Sequence, residues 1–140
     1  DLKIIHLSRK NTLRMFVSEK IAHKSKLFEL NSDKNRPALA DRKITIDPRH
    51  LAGYMKTVEQ KYDDNTDYFS SFDMLHTTYE DLLEENFEEY FRILDFLGVS
   101  HQPPRIKSSI MNPEPLSDLI ENYQDIKNHF SASHSKWMFE

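Results

Sequence analysis

The sequence predicts a three-layered α/β fold with a parallel sheet, and three features of its pattern lead to that fold class. The segments near residues 3–8 and 74–79 are short, apolar and contain β-branched residues, which is typical of strands. Each of them runs directly into a segment with helical spacing of its apolar residues. Two amphipathic helices are predicted between them, and this alternation of strands and helices favours parallel strands with helices on both faces.

The composition is that of an ordinary soluble protein, and 140 residues predict one domain that buries about two-thirds of its unfolded surface. A net charge of −4 gives no general attraction to nucleic acid or to an anionic membrane. No apolar run approaches the roughly 18 residues of a membrane span. The chain has no cysteine, which excludes disulfides and thiolate metal sites and favours a cytoplasmic location.

The first half of the chain predicts two helices joined by a loop. A helix from Thr12 to about Leu27 carries an apolar stripe, and Asp47 with Pro48 starts a second helix that runs to about Tyr62. Between them, residues 29–42 read as a mobile loop and residues 43–46 as a short extended piece. Residues 63–72 are compatible with either a frayed helix or a loop.

The second half predicts two more helices and a tail. A strongly amphipathic helix covers residues 87–97 and ends at Gly98, which is the residue expected for a left-handed cap. Residues 100–114 contain three prolines and are predicted to be irregular. The last helix is predicted from Leu116 to about Phe130, and residues 131–140 form a polar tail whose Trp137, Met138 and Phe139 fold back on the core.

The stretch Ile4 to Ser18 is the strongest candidate for a binding site. Arg9 stands where the first strand ends, and Ser18 follows about two helical turns later. A strand that runs into a helix start gathers backbone N–H groups, a partial positive charge and here an Arg fork, which suits a phosphate. The alternative is a surface Arg that merely ends a strand and a Ser that faces solvent.

The pattern strand–Arg–x8–Ser resembles the 3′-phosphate-binding element of sulfotransferases that use 3′-phosphoadenosine 5′-phosphosulfate (PAPS). The resemblance implies that Arg9 and Ser18 hold the 3′-phosphate. The segment YEDL at residues 79–82, followed by ILDFLGV at residues 93–99, resembles a second element of that family and implies that Tyr79 lies on the adenine side of the cofactor. The run PLSDLIENYQDIKNHF resembles the C-terminal helix of bacterial-type sulfotransferases. The implied fold is the P-loop-NTPase-like sulfotransferase fold, present in part.

Two further basic residues are weaker candidates for the same cofactor. Arg14 lies one turn from Ser18, and Lys107 stands in the basic loop that closes over the 3′-phosphate in many sulfotransferases. The Arg-Lys-Gly triplet usual in that loop is absent, and a solvated basic loop is the alternative reading. Glu80 and Asp81 read as carboxylates at a helix start, so no catalytic residue is predicted. The histidines lack metal-ligand spacing, so no metal site is predicted.

The resemblance covers only the C-terminal part of a sulfotransferase domain. In that family the 5′-phosphosulfate loop and the catalytic base precede the element that contains Arg9, and this sequence starts downstream of both, at Asp1. Residues 1–140 are therefore predicted to be a single domain that belongs to a longer enzyme. The parent protein is expected to transfer a sulfuryl group from PAPS to a hydroxyl or amine of a small-molecule or carbohydrate acceptor. This portion alone is expected to be inactive.

Two alternatives stay open at the level of the sequence. One is a non-catalytic protein-interaction domain derived from an α/β fold, which binds no nucleotide and forms an oligomer that covers an exposed sheet edge. The other is a nucleotide kinase or a related phosphate-loop protein. Gly53 and Gly98 are the only glycines, so there is no Gly-rich loop by which a motif could decide this alternative. The Arg9–Ser18 and Tyr79 patterns argue against a kinase. The oligomeric state is left open, a homo-oligomer included.

Overall fold

The computed structural model describes residues 2–29, 33–105 and 110–139, and the chain divides into two compact units. The first unit consists of Asp1–Lys10 and Thr57–Ile106, and the second of Asn11–Lys56 and Lys107–Glu140. The described residues combine helices with a two-stranded parallel sheet, which confirms the α/β class.

The parallel sheet belongs to the first unit, and both of its strands were predicted. Strand β1 is Lys3–Ser8 and strand β2 is Asp73–Thr78. They pair in parallel with Lys3 opposite Asp73 and Ser8 opposite Thr78. The short helix α4, Tyr79–Leu82, follows β2 without a gap. Because carboxyl ends of parallel strands meet at one edge, the residues that follow β1 and β2 are brought together there.

The helices that follow the pattern of the sequence have the expected ends. Helix α1 is Thr12–Ser25, and the side chain of Asn11 caps it by accepting the N–H of Arg14 at 2.8 Å. Helix α3 is Pro48–Tyr68, and it continues into the stretch that the sequence left open between helix and loop. Helix α5 is Glu88–Leu97, and Gly98 ends it with a φ of 71°, as predicted.

The apolar core of the second unit is formed by residues of α1, the beginning of α3 and the C-terminal segments. Its buried members are Leu13, Phe16, Val17, Ile21, Ile46, Leu51, Leu116, Leu119, Ile120, Ile126, Phe130 and Phe139. The tail contributes through the 3₁₀ helix His134–Phe139, in which Phe139 is only 2% exposed. The prediction that the tail folds back is confirmed for Phe139, whereas Trp137 is 47% exposed.

The prediction of one continuous helix from Leu116 to about Phe130 is wrong, because the structure has two shorter helices there. Helix α6 is Leu116–Leu119 and helix α7 is Tyr123–His129. Between them the backbone of Ile120 is extended and forms a parallel bridge with Ile44. The N–H of Ile44 donates to Leu119 O and the N–H of Glu121 donates to Ile44 O, each at 2.9 Å. Pairing with Ile44 therefore satisfies the backbone groups that a continuous helix would have paired internally.

The segment predicted as a mobile loop is also more ordered than expected where it is described. Asp33–Asn35 forms a 3₁₀ turn, and helix α2 is Leu39–Arg42. The reason is Arg42, which is 3% exposed and forms an ion pair with Glu114 in the same unit. A buried guanidinium needs a fixed partner, and this pairing fixes the local backbone.

Candidate functional site

Arg9 follows the last residue of β1, and its backbone is held by hydrogen bonds within the first unit. Its N–H donates to the hydroxyl oxygen of Tyr62 at 3.1 Å. The preceding residue, Ser8, donates its hydroxyl to the carbonyl of Thr77 on β2 at 3.4 Å. The start of the Arg9 side chain is therefore fixed relative to the carboxyl edge of the sheet.

The Arg9 side chain lies over Tyr79, the first residue of α4. The guanidinium carbon is 4.5 Å from the centre of the Tyr79 ring, which is cation–π stacking. The Nε atom lies 3.6 Å from a carboxylate oxygen of Glu80. Among the described residues, none accepts a hydrogen bond from the Arg9 side chain. The Tyr79 ring and the Glu80 carboxylate thus orient the planar guanidinium, and its terminal N–H groups remain able to donate hydrogen bonds to a ligand.

Glu80 and Asp81 bind the neighbouring Lys10. The Lys10 backbone N–H donates to Glu80 at 2.9 Å, and the Lys10 ammonium forms an ion pair with Asp81. Thr78 caps the short helix α4, because its Oγ1 accepts the N–H of Asp81 at 3.1 Å and donates to the Asp81 carboxylate at 2.6 Å. The two carboxylates lie in the first turn of α4, as the sequence predicted.

The protonation states in this cluster are set by those contacts. The Lys10 ammonium and the Thr78 hydroxyl lower the pKa of Asp81 below its ordinary value, and hydrogen bonding to Asp81 raises the pKa of Lys10. Asp81 is therefore ionised at neutral pH and is not suited to donate a proton. Arg9 and Lys10 face Glu80 and Asp81, so the local charges balance. A phosphate here would be bound by the directed donors of Arg9 and not by a strong positive field.

The remaining predicted residues are not part of this cluster in the first unit. Ser18 is half-buried in the middle of α1, in the second unit. Arg14 donates to the carbonyls of Asn112 and Glu114 at 3.0 and 3.2 Å, also within the second unit. Lys107 lies outside the described residues. The structure thus brings together Arg9 and Tyr79, and the shared role of Arg9 and Ser18 stays a prediction.

Two residues of the cluster were missed by the sequence interpretation. Tyr62 was read as a packing residue of α3, yet its hydroxyl positions Arg9. Lys10 was not singled out, although its ammonium neutralises Asp81. The signal for Lys10 was available, since a basic residue at the end of one parallel strand lies next to acidic residues that follow the neighbouring strand. The sequence held no comparable signal for Tyr62.

Metal binding and membrane insertion have no support in the described residues. Within residues 2–29, 33–105 and 110–139, no group of three His, Asp or Glu side chains could hold a metal ion. No helix in those ranges combines the length and the apolar character needed to cross a membrane.

Comparison with protein-family models, curated proteins and solved structures finds no match for this chain.

Proposed function

We propose that this chain supplies the 3′-phosphate and adenine-side part of the cofactor site of a PAPS-dependent sulfotransferase. The stacking of Arg9 on Tyr79 at 4.5 Å carries the proposal. These residues come from two motifs far apart in the sequence, and the resemblance to sulfotransferases implies contact with the same cofactor for each of them. Their contact at one edge of a parallel sheet supports a common role.

The side chains present fit a phosphate group. The terminal N–H groups of the Arg9 guanidinium can bind two phosphate oxygens in a bidentate manner. Stacking on the Tyr79 ring fixes the orientation of the guanidinium plane. Bound PAPS would supply the activated sulfuryl group for transfer to a hydroxyl or amine of a small-molecule or carbohydrate acceptor. Ser18 is proposed as a hydroxyl donor to the 3′-phosphate, and Arg14 and Lys107 as weaker helpers.

We propose that the parent protein has the three-layered, P-loop-like sulfotransferase architecture. Its catalytic base is proposed to be a residue other than those named here. The chain alone is therefore proposed to bind 3′,5′-ADP (PAP) without transferring a sulfuryl group. We propose a cytoplasmic location for it.

Calorimetric titration with PAP, with 5′-AMP as the control ligand, tests this function. Selective binding of PAP is expected, because 5′-AMP lacks the 3′-phosphate. Arg9→Ala should weaken PAP binding by about 1.5–3 kcal/mol, the scale of a hydrogen bond to a charged group. Arg49→Ala removes the same charge from an exposed position at the start of α3 and should leave the affinity unchanged.

The variant Glu80→Gln distinguishes a phosphate-binding role of Arg9 from a purely structural role. The Glu80 carboxylate lies 3.6 Å from Arg9 Nε and competes with an incoming phosphate for the same cation. Its neutralisation should therefore tighten PAP binding, while Arg9→Ala weakens it. Equal affinities in the wild type, Arg9→Ala and Glu80→Gln would overturn the assignment of Arg9. Absence of PAP binding from both this chain and the longest natural form of the protein would overturn the function.

The second candidate function, an interaction domain, is favoured by the exposed apolar residues of β1. Ile5 is 38% and Leu7 is 51% exposed, and within the described residues β1 pairs with β2 alone. A strand that has one unpaired edge and exposed apolar side chains is suited to association with another chain. Sedimentation analysis of the wild type and of Leu7→Lys tests this candidate, which requires an oligomer that the substitution dissociates and no binding of PAP.

A further inference from the structure

The second unit contains an open cleft of about 480 Å³ that the proposed function does not use. Its volume is within the range of about 300–1,000 Å³ that is usual for small-molecule sites. The side chains of interest around it come from α1, from the extended segment before α3 and from the first turn of α3. They are Phe16, Lys20, Lys24, Lys43 and His50, and Glu121 joins them from the segment between α6 and α7.

One face of α1 places basic groups along the cleft. Phe16, Lys20 and Lys24 are spaced four residues apart, so they follow one another on the same side of the helix. Two ammonium groups at this spacing repel each other. An anion bound between them would convert that repulsion into attraction.

The lysines of the cleft are not neutralised by the carboxylates beside them. Within the described parts of the chain, none of Lys20, Lys24 and Lys43 forms an ion pair. Glu121 instead accepts the hydroxyl of Thr45. The other carboxylate, Asp47, accepts a backbone N–H of the first turn of α3 at 2.8 Å.

The two lysines of α1 are positioned but keep donors for a ligand. Lys24 Nζ donates to the carbonyl of Lys43 at 2.8 Å, which uses one of the three N–H groups of an ammonium. Lys20 Nζ lies 5.2 Å from the centre of the Phe16 ring. His50 packs edge-on against the same ring at 5.4 Å. Because Phe16 is only 2% exposed, the aromatic surface offered to a ligand is the exposed ring of His50. The cleft therefore combines charged donors with one exposed ring, which suits an anionic group carried on a ring.

We propose that this cleft binds a small organic anion of sugar size, with Lys20 and Lys24 as the residues that hold its sulfate, carboxylate or phosphate group. None of the cleft residues is assigned to the cofactor, so a failure of the sulfotransferase proposal would leave this proposal unaffected.

NMR titration of the ¹⁵N-labelled chain tests the cleft with four probes. Glucose 6-sulfate and glucuronate carry an anionic group on a sugar, glucose is the neutral analogue, and sodium sulfate is the bare anion. Saturable shifts of the Lys20, Lys24 and Thr45 amides are expected with the two anionic sugars and not with glucose. Weaker shifts of the same amides with sulfate would show that the sugar ring adds to the affinity.

A double variant identifies the residues. Lys20→Gln with Lys24→Gln should weaken binding of glucose 6-sulfate by about tenfold or more, because two charge-assisted contacts are lost. Lys56→Gln with Lys61→Gln makes the same change of net charge at exposed positions of α3 and should leave the affinity unchanged. The ¹H–¹⁵N spectrum of each variant reports whether it is folded. Equal weakening in both double variants, equal shifts with glucose, or no saturable shift with any probe would each overturn the proposal.

Discussion

Arg42 and Glu114 form a bidentate ion pair that joins two segments of the second unit far apart in the sequence. Nη1 of Arg42 donates to one carboxylate oxygen at 2.6 Å and Nη2 to the other. Nε of Arg42 donates to the carbonyl of Pro37 at 3.0 Å. The Arg42 side chain is 4% exposed and that of Glu114 is 23% exposed. The pair is therefore largely withdrawn from water, and loss of either partner leaves the other without its counter-charge.

Glu114→Gln should lower the free energy of unfolding by about 3 kcal/mol, because it leaves the buried Arg42 charge uncompensated. Urea denaturation followed by the fluorescence of Trp137, which lies in the same unit, measures this loss. Glu19→Gln is the control, since the Glu19 carboxylate binds His23 from an exposed position, and about 1 kcal/mol or less is expected. A loss no larger than in the control would show that the ion pair contributes little to stability.

The same pair should make the second unit sensitive to acid. Hydrogen bonding to Arg42 lowers the pKa of Glu114 below its ordinary value of 4.5. The stabilisation is therefore fully present above pH 4.5 and is lost as the pH falls through the lower pKa of the folded state. Urea denaturation at a series of pH values should show a steeper decline below pH 4.5 in the wild type than in Glu114→Gln. Parallel curves for the two proteins would contradict the assignment.

His6 should give the first unit a separate pH dependence. Burial, together with the neighbouring His76, lowers the pKa of His6 below its ordinary value of 6.5. The two rings lie opposite each other on β1 and β2 with centres 5.2 Å apart. Because the unfolded chain takes up the proton first, stability should fall as the pH drops below 6.5.

NMR titration of the histidine Cε1–H resonances tests that expectation directly. The midpoint for His6 should lie below 6.5 in the wild type and move upward in His76→Gln, which removes the second positive charge. An unchanged His6 midpoint in His76→Gln would exclude coupling between the two rings.

Local patterns predicted the elements whose structure is decided locally. The two strands, the start of α1 at Thr12 and the Gly98 cap follow from side-chain spacing and backbone preference within a few residues. The contact of Arg9 with Tyr79 could be anticipated for a related reason. Both residues directly follow strands that pair in parallel, so the topology alone brings them to one edge.

Features that depend on partners distant in the sequence could not be predicted in the same way. Ile120 lies in a segment with helical spacing, and only its pairing with Ile44 makes it extended. Arg42 lies in a polar stretch that reads as a loop, and only Glu114 explains its burial. Tyr62 fits a packing stripe, and its hydrogen bond to Arg9 depends on where β1 ends. In each case the deciding interaction is absent from the local sequence.

The two glycines allow one substitution to be tested with opposite expected signs. At Gly98 the φ of 71° is costly for any residue with a Cβ, although no atom lies within 4 Å of the added methyl group. Gly98→Ala should therefore destabilise the protein by about 1 kcal/mol.

At Gly53, inside α3, the Cβ also meets nothing within 4 Å and the backbone is helical. Gly53→Ala should stabilise the protein by up to about 1 kcal/mol, since alanine loses less conformational entropy in a helix. Thermal denaturation of both variants measures the two effects, and a gain in stability for Gly98→Ala would show that α5 does not end in a left-handed cap.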